Sequence, residues 1–329
     1  MNSLLARYAE AIFWMARYME RAEDLARILD VNETFSRDSS GLQDWSHVLH
    51  LYAEEEEFKK EYGEITPDKV IRYYVLDREN PGSIRSCIGA ARENARSLRP
   101  LISTEMWMQL NTFFRQFGTL TDANISEHRL AGLCSWIKLG CQTYHGVTEG
   151  TFFRDAGWFF YLIGKNLERA DQMTRLIDVK YHLLLPREVE VGSAVDVSQW
   201  MAVLRSAAGY HAFRRIHPRG MSAMQVSGFL LLNDQFPRST RSCIDAVATA
   251  LDRLGQMGVV APDNSIQSLA ELRADFQRQT IKDIIGYGLH EYLDGVQLRL
   301  IQLAEELGHT FFGYDYPQPG QTQLQESAG

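Results

Sequence analysis

The sequence predicts an all-α protein made of two fused, pseudo-equivalent helical-bundle repeats, with about 11–12 helices in total. Three observations support this fold class. Apolar residues recur at helical spacing along most of the chain, no segment keeps the period-two alternation typical of strands, and one charged helical motif occurs twice.

The first copy of the motif is the segment from Arg7 to Val31. On a helical projection its apolar residues form one broad arc: Tyr8, Ala11, Ile12, Met15, Met19, Ala22, Leu25, Ala26 and Leu29. Three polar residues are expected to point away from the arc: Arg17, Arg21 and Asp24. Glu23 and Asp30 lie at its edge, and Arg27 follows Glu23 by one helical turn, where it can pair with the carboxylate.

The second copy, Trp158 to Val179, aligns with the first without gaps at an offset of 148 residues. Glu20, Arg21, Glu23, Arg27 and Asp30 correspond to Glu168, Arg169, Asp171, Arg175 and Asp178. Further blocks repeat in the same order at offsets of 155 and 156, including Ser83 to Ile88 against Ser239 to Ile244. We therefore expect a first repeat over 1–146, a second over 147–312 with a linker near 186–193, and a disordered tail over 313–329.

Several helix ends are expected from local signals. Thr66-Pro67 and Ser83 are expected to start helices, as is Ser103 or Thr104. A long helix from about residue 126 to 145 is expected to end at Gly146.

Composition narrows the functional classes. The chain has 329 residues, 45% of them hydrophobic, and a net charge of −8, which argues against a nucleic-acid partner. Neither a signal peptide nor an apolar stretch long enough to span a membrane is present, so we expect a cytoplasmic protein with no membrane partner. The four cysteines lack metal-finger spacing and are expected to be free, buried thiols.

The paired charged motifs are the strongest candidate site. If the repeats face each other, Glu20, Glu23, Glu168 and Asp171 could surround one cavity and act in acid–base catalysis. Arg17, Arg27 and Arg175 could hold an acidic ligand there. The competing interpretation is a buried ion-pair seam that joins the halves. No metal is expected, because the di-iron pattern needs Glu-x-x-His and neither copy supplies the histidine, and no cofactor is expected.

Two further groups are candidates. His145 could carry a proton close to Arg154, Asp155 and Trp158, although a histidine at a helix end is more often a cap or a surface residue. Arg85 and Arg241 follow proline-marked breaks, where arginines near helix N-termini suit anions, although a structural tie between neighbouring helices is the favoured interpretation.

These motifs together resemble a known family. The segments A-R-Y-A-E-x-x-F-W-M-A-R-Y-M-E-R-A-E-x-x-A-R, N-P-G-S-I-R-S-C-I-G-A-A-R-E-N-A-R, T-F-F-R-D-A-G-W and L-E-R-A-D resemble the bacterial alpha-E family, all-helical proteins known largely as a domain of unknown function. The resemblance covers residues 4–312. One departure is that Lys165 and Asn166 stand where the first copy has Arg17 and Tyr18.

The resemblance implies a functional context. Such proteins are typically encoded beside, or fused to, ATP-grasp-like proteins and transglutaminase-like cysteine peptidases, which implies amide chemistry on a small peptide. The chain itself lacks nucleotide-binding motifs such as G-x-x-x-x-G-K-(S/T). We therefore expect an accessory or substrate-presenting partner of an ATP-grasp-type amide ligase. The alternative is an independent acid–base enzyme, or a binding protein for a small acidic, amino-acid or peptide ligand.

Overall fold

The computed structural model describes residues 4–38, 45–184, 194–259 and 263–314. These residues form helices and connecting turns and contain no strand, so the predicted all-α class is confirmed. The α-helices are α1 (Ala6–Asp38), α2 (Ser46–Leu51), α3 (Glu55–Tyr62), α4 (Pro67–Val75), α5 (Ile84–Ser97), α6 (Thr104–Gly118), α7 (Glu127–Thr151), α8 (Ala156–Leu184), α9 (Ala194–Ser206), α10 (Tyr210–Ile216), α11 (Ala223–Leu232), α12 (Thr240–Gln256), α13 (Asp263–Arg278), α14 (Ile281–Tyr287) and α15 (Leu289–Leu307). A short 3₁₀ helix spans Asp122–Asn124, and a π-helical turn spans Gly308–Phe312.

The two longest helices, α1 and α8, lie against each other at the centre. Helices α5 and α7 pack on α1, and α12 and α15 pack on α8. Two shorter helices also contact the long helix that is more distant from them in the sequence, since α9 packs on α1 and α2 packs on α8. The described helices bury one continuous apolar cluster, and none of them is both long and apolar enough to cross a membrane.

Three extra helix breaks distinguish the structure from the prediction of about 11–12 helices. Consecutive helices are separated at Ala53, Ala208 and Gly288, which have φ angles of 55°, 58° and 123°. Left-handed backbone ends an α-helix, but alanine carries no signal for it, so the first two breaks could not be read from the sequence. The described residues consequently form fifteen α-helices.

Most local signals for helix starts are confirmed. Pro67 opens α4, and the Ser83 and Ser103 side chains accept hydrogen bonds from backbone N–H groups in the first turns of α5 and α6. The expected end at Gly146 is wrong, because α7 continues to Thr151. All four cysteines are free and buried, as expected.

Some expectations lie outside the described residues. These are the expected linker near 186–193 and the expected disordered tail beyond Tyr314. The division of the chain into two repeats stays a prediction.

Close packing of α1 and α8 depends on a glycine. A Cβ atom built on Gly164 would overlap the Phe13 carbonyl of α1, so the two backbones meet where α8 has no side chain. Gly146 on α7 offers a contrast, because it is exposed and a Cβ there would meet no atom within 4 Å.

We expect Gly164→Ala to lower the free energy of unfolding by about 1–3 kcal/mol, because the added methyl group must push α1 and α8 apart. The matched variant Gly146→Ala should raise it by up to about 1 kcal/mol through better helix propensity. Urea denaturation of both variants measures the difference. Equal effects of the two substitutions would contradict the close approach of α1 and α8.

Candidate functional site

Two buried glutamates join α1 and α8 by exchanged ion pairs. Glu20 and Glu168 each have 0% exposure. Arg169 donates from Nε and Nη2 to the Glu20 carboxylate at 2.6 and 2.8 Å. Arg21 donates in the same manner to Glu168 at 2.6 and 3.1 Å. Each Glu-Arg dipeptide therefore binds the other across the helix pair, and bidentate pairing of this kind fixes the relative position of the two helices.

The predicted pairs one turn apart are confirmed. Arg27 Nη2 binds Glu23, and Arg175 Nε donates to Asp171 at 2.9 Å. Both arginines also reach beyond their own helix: Arg27 donates to the Ser206 carbonyl at the end of α9, and Arg175 donates to the Leu51 carbonyl at the end of α2. These bonds hold the two crossing helices against the central pair.

The carboxylates around Glu20 form a cluster with Arg238 and His145. Arg238, from the turn before α12, donates to Glu20 at 2.8 Å and to Asp24 at 2.6 Å, and its Nη1 lies 3.4 Å from Glu23. From α7, His145 Nε2 lies 3.2 Å from Glu20 and 3.7 Å from Glu23. We name these residues, with Arg27 and Arg169, the Glu20 cluster.

Electrostatics within the Glu20 cluster favour ionised glutamates. Burial alone would raise the pKa of Glu20, but Arg169 and Arg238 outweigh it and hold the pKa well below its ordinary value. The pKa of Glu23 is likewise lowered, because Arg238 offsets its burial. Burial raises the pKa of Asp24 to about 7, and the attraction of Arg238 only partly offsets this effect.

The carboxylates around Glu168 form a second, more open cluster. Glu168 accepts from Arg17 Nε at 2.8 Å as well as from Arg21, and Gln172 Nε2 donates to it at 3.2 Å. Burial would raise the pKa of Glu168, but Arg21 and Arg17 bring it down to about 2. A cavity of about 120 Å³ adjoins this cluster. Residues of α1, of α8 and of the segment from α2 to α5 form its walls: Arg21, Leu25, Tyr52, Glu54, Tyr74, Gly82, Asp171, Gln172 and Arg175.

The expected outward direction of Arg17, Arg21 and Asp24 is wrong. Arg17 and Arg21 bind the buried Glu168, and Asp24 is 5% exposed beneath Arg238. A polar stripe on a helix resembles a solvated face when the sequence alone is considered. Here α8 and Arg238 cover that stripe with matching charges.

His145 and the Arg154 group lie in different surroundings. Arg154 is exposed, pairs with Glu149 at 2.9 Å and stacks on the Trp158 ring with 3.5 Å to its centroid. Asp155 accepts a hydrogen bond from the Gly157 N–H at the start of α8. His145 instead contacts the Glu20 cluster, and its Nδ1 lies 2.7 Å from the Tyr161 hydroxyl.

Arg85 and Arg241 have their contacts outside the two clusters. Arg85 donates to the Leu120 carbonyl at 3.0 Å and lies over the Phe117 ring. Arg241 Nε is 3.9 Å from Asp245 on the same helix. This placement supports the structural interpretation of Arg85 as a tie between helices.

A histidine that the sequence motif lacks does lie beside the glutamates of α1. Glu20, Glu23 and His145 each offer a ligand atom, and these atoms lie within 4.8 Å of one another, because α7 supplies the histidine that α1 lacks. A second such group is Asp178 with His290 and Asp294. At the first group, Arg27, Arg169 and Arg238 already balance the carboxylates, so a cation there would meet three positive charges.

Comparison with known proteins places the whole helical unit in one group. The family model Alpha-E, described as a predicted alpha-helical domain with a conserved ER motif, matches residues 4–312. An uncharacterized protein of Mycobacterium bovis is 23% identical over 339 residues, which cover 92% of this chain and 36% of that protein. Two uncharacterized proteins of Mycobacterium tuberculosis match with the same identity and coverage. No solved structure matches the chain.

The ER motif in that description corresponds to two dipeptides here, Glu20-Arg21 and Glu168-Arg169. Both are the residues of the exchanged ion pairs. Arg238 of the Glu20 cluster carries no sequence signal that points to α1, and Glu54 and Gly82 beside the cavity carry none that points to α8. Arg169 could have been found, because it is the counterpart of Arg21 in the repeated motif.

Glu168→Gln should lower the free energy of unfolding by about 3–5 kcal/mol at pH 7, because Arg17 and Arg21 lose their buried counter-charge. The pKa of Glu168 is lowered from 4.5 to about 2 by folding, so its contribution is complete above pH 4.5 and is lost as the pH falls toward 2. The stability gap between wild type and variant should therefore narrow by about 3 kcal/mol between pH 5 and pH 2. Denaturant titrations across this range measure the gap, and a gap that stays constant would refute the assignment.

Glu23→Gln and Asp171→Asn should differ although the two residues are counterparts in the motif. The Glu23 side chain is 0% exposed and that of Asp171 is 13% exposed beside the cavity, so loss of charge leaves a fully buried arginine only in the first case. We expect a cost of about 3–5 kcal/mol for Glu23→Gln and at most about half of that for Asp171→Asn. Equal melting-temperature shifts would contradict the difference in burial.

Proposed function

This chain belongs to the Alpha-E family, and from that membership we propose that it is an accessory, substrate-presenting partner of an ATP-grasp-type amide ligase. The family resemblance supports this role, because such helical proteins typically accompany ATP-grasp-like and transglutaminase-like proteins. The ligase would activate a carboxyl group with ATP, and the peptidase-like protein would act on the resulting amide. The chain itself lacks nucleotide-binding motifs, so ATP would be used by its partner. Because this partner would use ATP, we expect the proposed role to be carried out in the cytoplasm.

The length of the relatives carries the proposal. This chain spans about a third of the curated relatives it matches, namely 36% of the Mycobacterium bovis protein. In those proteins the helical unit therefore shares one polypeptide with a larger remainder. A helical unit that shares a polypeptide with further sequence in its relatives is expected to work together with what that further sequence encodes.

The pKa values of Glu20 and Glu168 support a partner role over an acid–base enzyme that uses these two glutamates. Glu20 and Glu168 are buried, each bound by at least two arginines, and have pKa values well below neutrality. Carboxylates held ionised in this way neither release nor accept a proton readily near pH 7. Of the two alternative functions, ligand binding is favoured over independent acid–base catalysis, because a cavity adjoins the cluster around Glu168.

We further propose that the two halves are pseudo-equivalent repeats, the first over 1–146 and the second over 147–312. The exchanged pairs Glu20–Arg169 and Glu168–Arg21 support this, since each is the counterpart of the other at the offset of 148. The two alanines with positive φ, Ala53 and Ala208, also stand at the offset of 155 found for neighbouring blocks.

Co-expression with an ATP-grasp-type amide ligase of the same organism tests the proposed function. The tagged chain should co-purify with the ligase, and amide product should fall at least about tenfold when the chain is withheld and return when it is added back. A heat-unfolded sample of the chain serves as the control for non-specific stabilisation. An unchanged product rate without the chain, together with no complex on size-exclusion chromatography, would refute the proposal.

A further inference from the structure

We infer that the cavity beside Gly82 is a binding site for the guanidinium group of a small ligand. In this cavity the ligand would stand in the position equivalent to that of the Arg238 side chain in the Glu20 cluster. This inference goes beyond the proposed function, because it concerns binding by the isolated chain. Its three supports are the position of Gly82, the shape of the cavity and its hydrogen-bonding groups.

The position of Gly82 corresponds to that of Arg238. Pro81-Gly82-Ser83 and Pro237-Arg238-Ser239 align at the offset of 156. Ser83 and Ser239 cap α5 and α12 in the same way. The hydroxyl oxygen of each serine accepts a hydrogen bond, at 3.1 Å, from the backbone N–H of the residue three positions later. The chain thus has the same local geometry before both helices, but only the second carries a guanidinium group.

The cavity lies against the counterparts of the residues that Arg238 binds. Arg238 reaches Glu20, Glu23 and Asp24 on α1, whose counterparts on α8 are Glu168, Asp171 and Gln172. Arg17 and Arg21 already bind Glu168, so the comparison concerns Asp171 and Gln172. Both of these line the cavity of about 120 Å³. Drug-sized ligands need roughly 300–1,000 Å³, so this cavity suits a single functional group of a ligand whose remainder extends outward.

The hydrogen-bonding groups of the cavity call for a donor. Among the described residues no donor reaches the buried Oε2 atom of Glu54, and a Cβ on Gly82 would lie 3.5 Å from Oε1 of the same side chain. The Tyr74 hydroxyl lies beside this carboxylate, but its hydrogen bond, at 3.3 Å, runs to the Val48 carbonyl. Burial raises the pKa of Glu54, and Tyr74 offsets this effect only in part. An unsatisfied buried carboxylate oxygen favours a cationic N–H donor as its partner.

The donors in the cavity wall are already engaged. The Tyr52 hydroxyl donates to Gln172 Oε1 at 2.9 Å. Arg21 is bound to Glu168, and Arg175 is bound to Asp171 and to the Leu51 carbonyl. A ligand that offers only acceptors would find these donors occupied. Glu54 differs from the carboxylates of the Glu20 cluster, because no arginine or lysine among the described residues forms an ion pair with it. A planar guanidinium group could therefore donate to Glu54 and also reach Asp171.

N-ethylguanidinium and its neutral isostere N-ethylurea, at matched ionic strength, are the probes for this site. By calorimetry, the wild-type chain should bind N-ethylguanidinium at least about tenfold more tightly than N-ethylurea, because charge-assisted hydrogen bonds are formed only by the cation. Glu54→Gln should weaken N-ethylguanidinium binding by about tenfold or more. Glu105→Gln, which changes an exposed carboxylate on α6, should leave it unchanged.

Gly82→Arg tests the correspondence with Arg238 directly. The backbone of Gly82 is not in the left-handed region, and the nearest atom to an added Cβ is Asn80 Oδ1 at 3.1 Å, so a side chain can be built there after a small shift. The new arginine should fill the cavity, abolish N-ethylguanidinium binding and leave the melting temperature unchanged or higher.

Equal binding of both probes, or no saturable binding to the folded wild-type chain, would overturn the inference. Unaltered N-ethylguanidinium binding to folded Gly82→Arg would overturn it as well. If Gly82→Arg fails to fold, Glu54→Gln decides: unchanged N-ethylguanidinium affinity in that variant refutes the site, and a loss of about tenfold supports it.

Discussion

The buried carboxylates between α1 and α8 impose the constraint on which the rest of the structure depends. Glu20 and Glu168 are shielded from water, and an unpaired ion in such a place costs several kcal/mol. Each carboxylate therefore needs arginines from elsewhere in the fold, and Arg21 and Arg169 provide them reciprocally. The requirement sets how α1 and α8 lie against each other, which in turn positions the helices packed on both.

The same requirement extends outward from the central pair. Arg27 and Arg175 each use one donor on the carboxylate of their own helix and another on a backbone carbonyl of a crossing helix. Ion pairing and helix packing are thus coupled, so a change in the charges is transmitted to α2 and α9. Hydrogen bonds of this kind specify geometry more than they add net stability, since the desolvation cost offsets much of the attraction.

The two clusters share one framework but differ in what closes them. In the Glu20 cluster Arg238 completes the charge balance with the three carboxylates. In the cluster around Glu168, Gly82 stands in the position of Arg238, and a cavity adjoins the side chains. A structural role for the Glu20 cluster and a binding role for the cluster around Glu168 are therefore compatible within a single helical unit.

The sequence by itself determined the features that depend on neighbours along the chain. The all-α class, the cap at Ser83 and the pairs Glu23–Arg27 and Asp171–Arg175 were predictable, because helical periodicity and capping act within a few residues. Tertiary structure alone decided which polar residues are buried and what they meet. Asp24 resembled a solvent-facing residue until Arg238, more than 200 positions later, covered it, and the cavity arises from side chains brought together across helices. Such contacts leave no local pattern, since their free energy comes from the juxtaposition of distant charges.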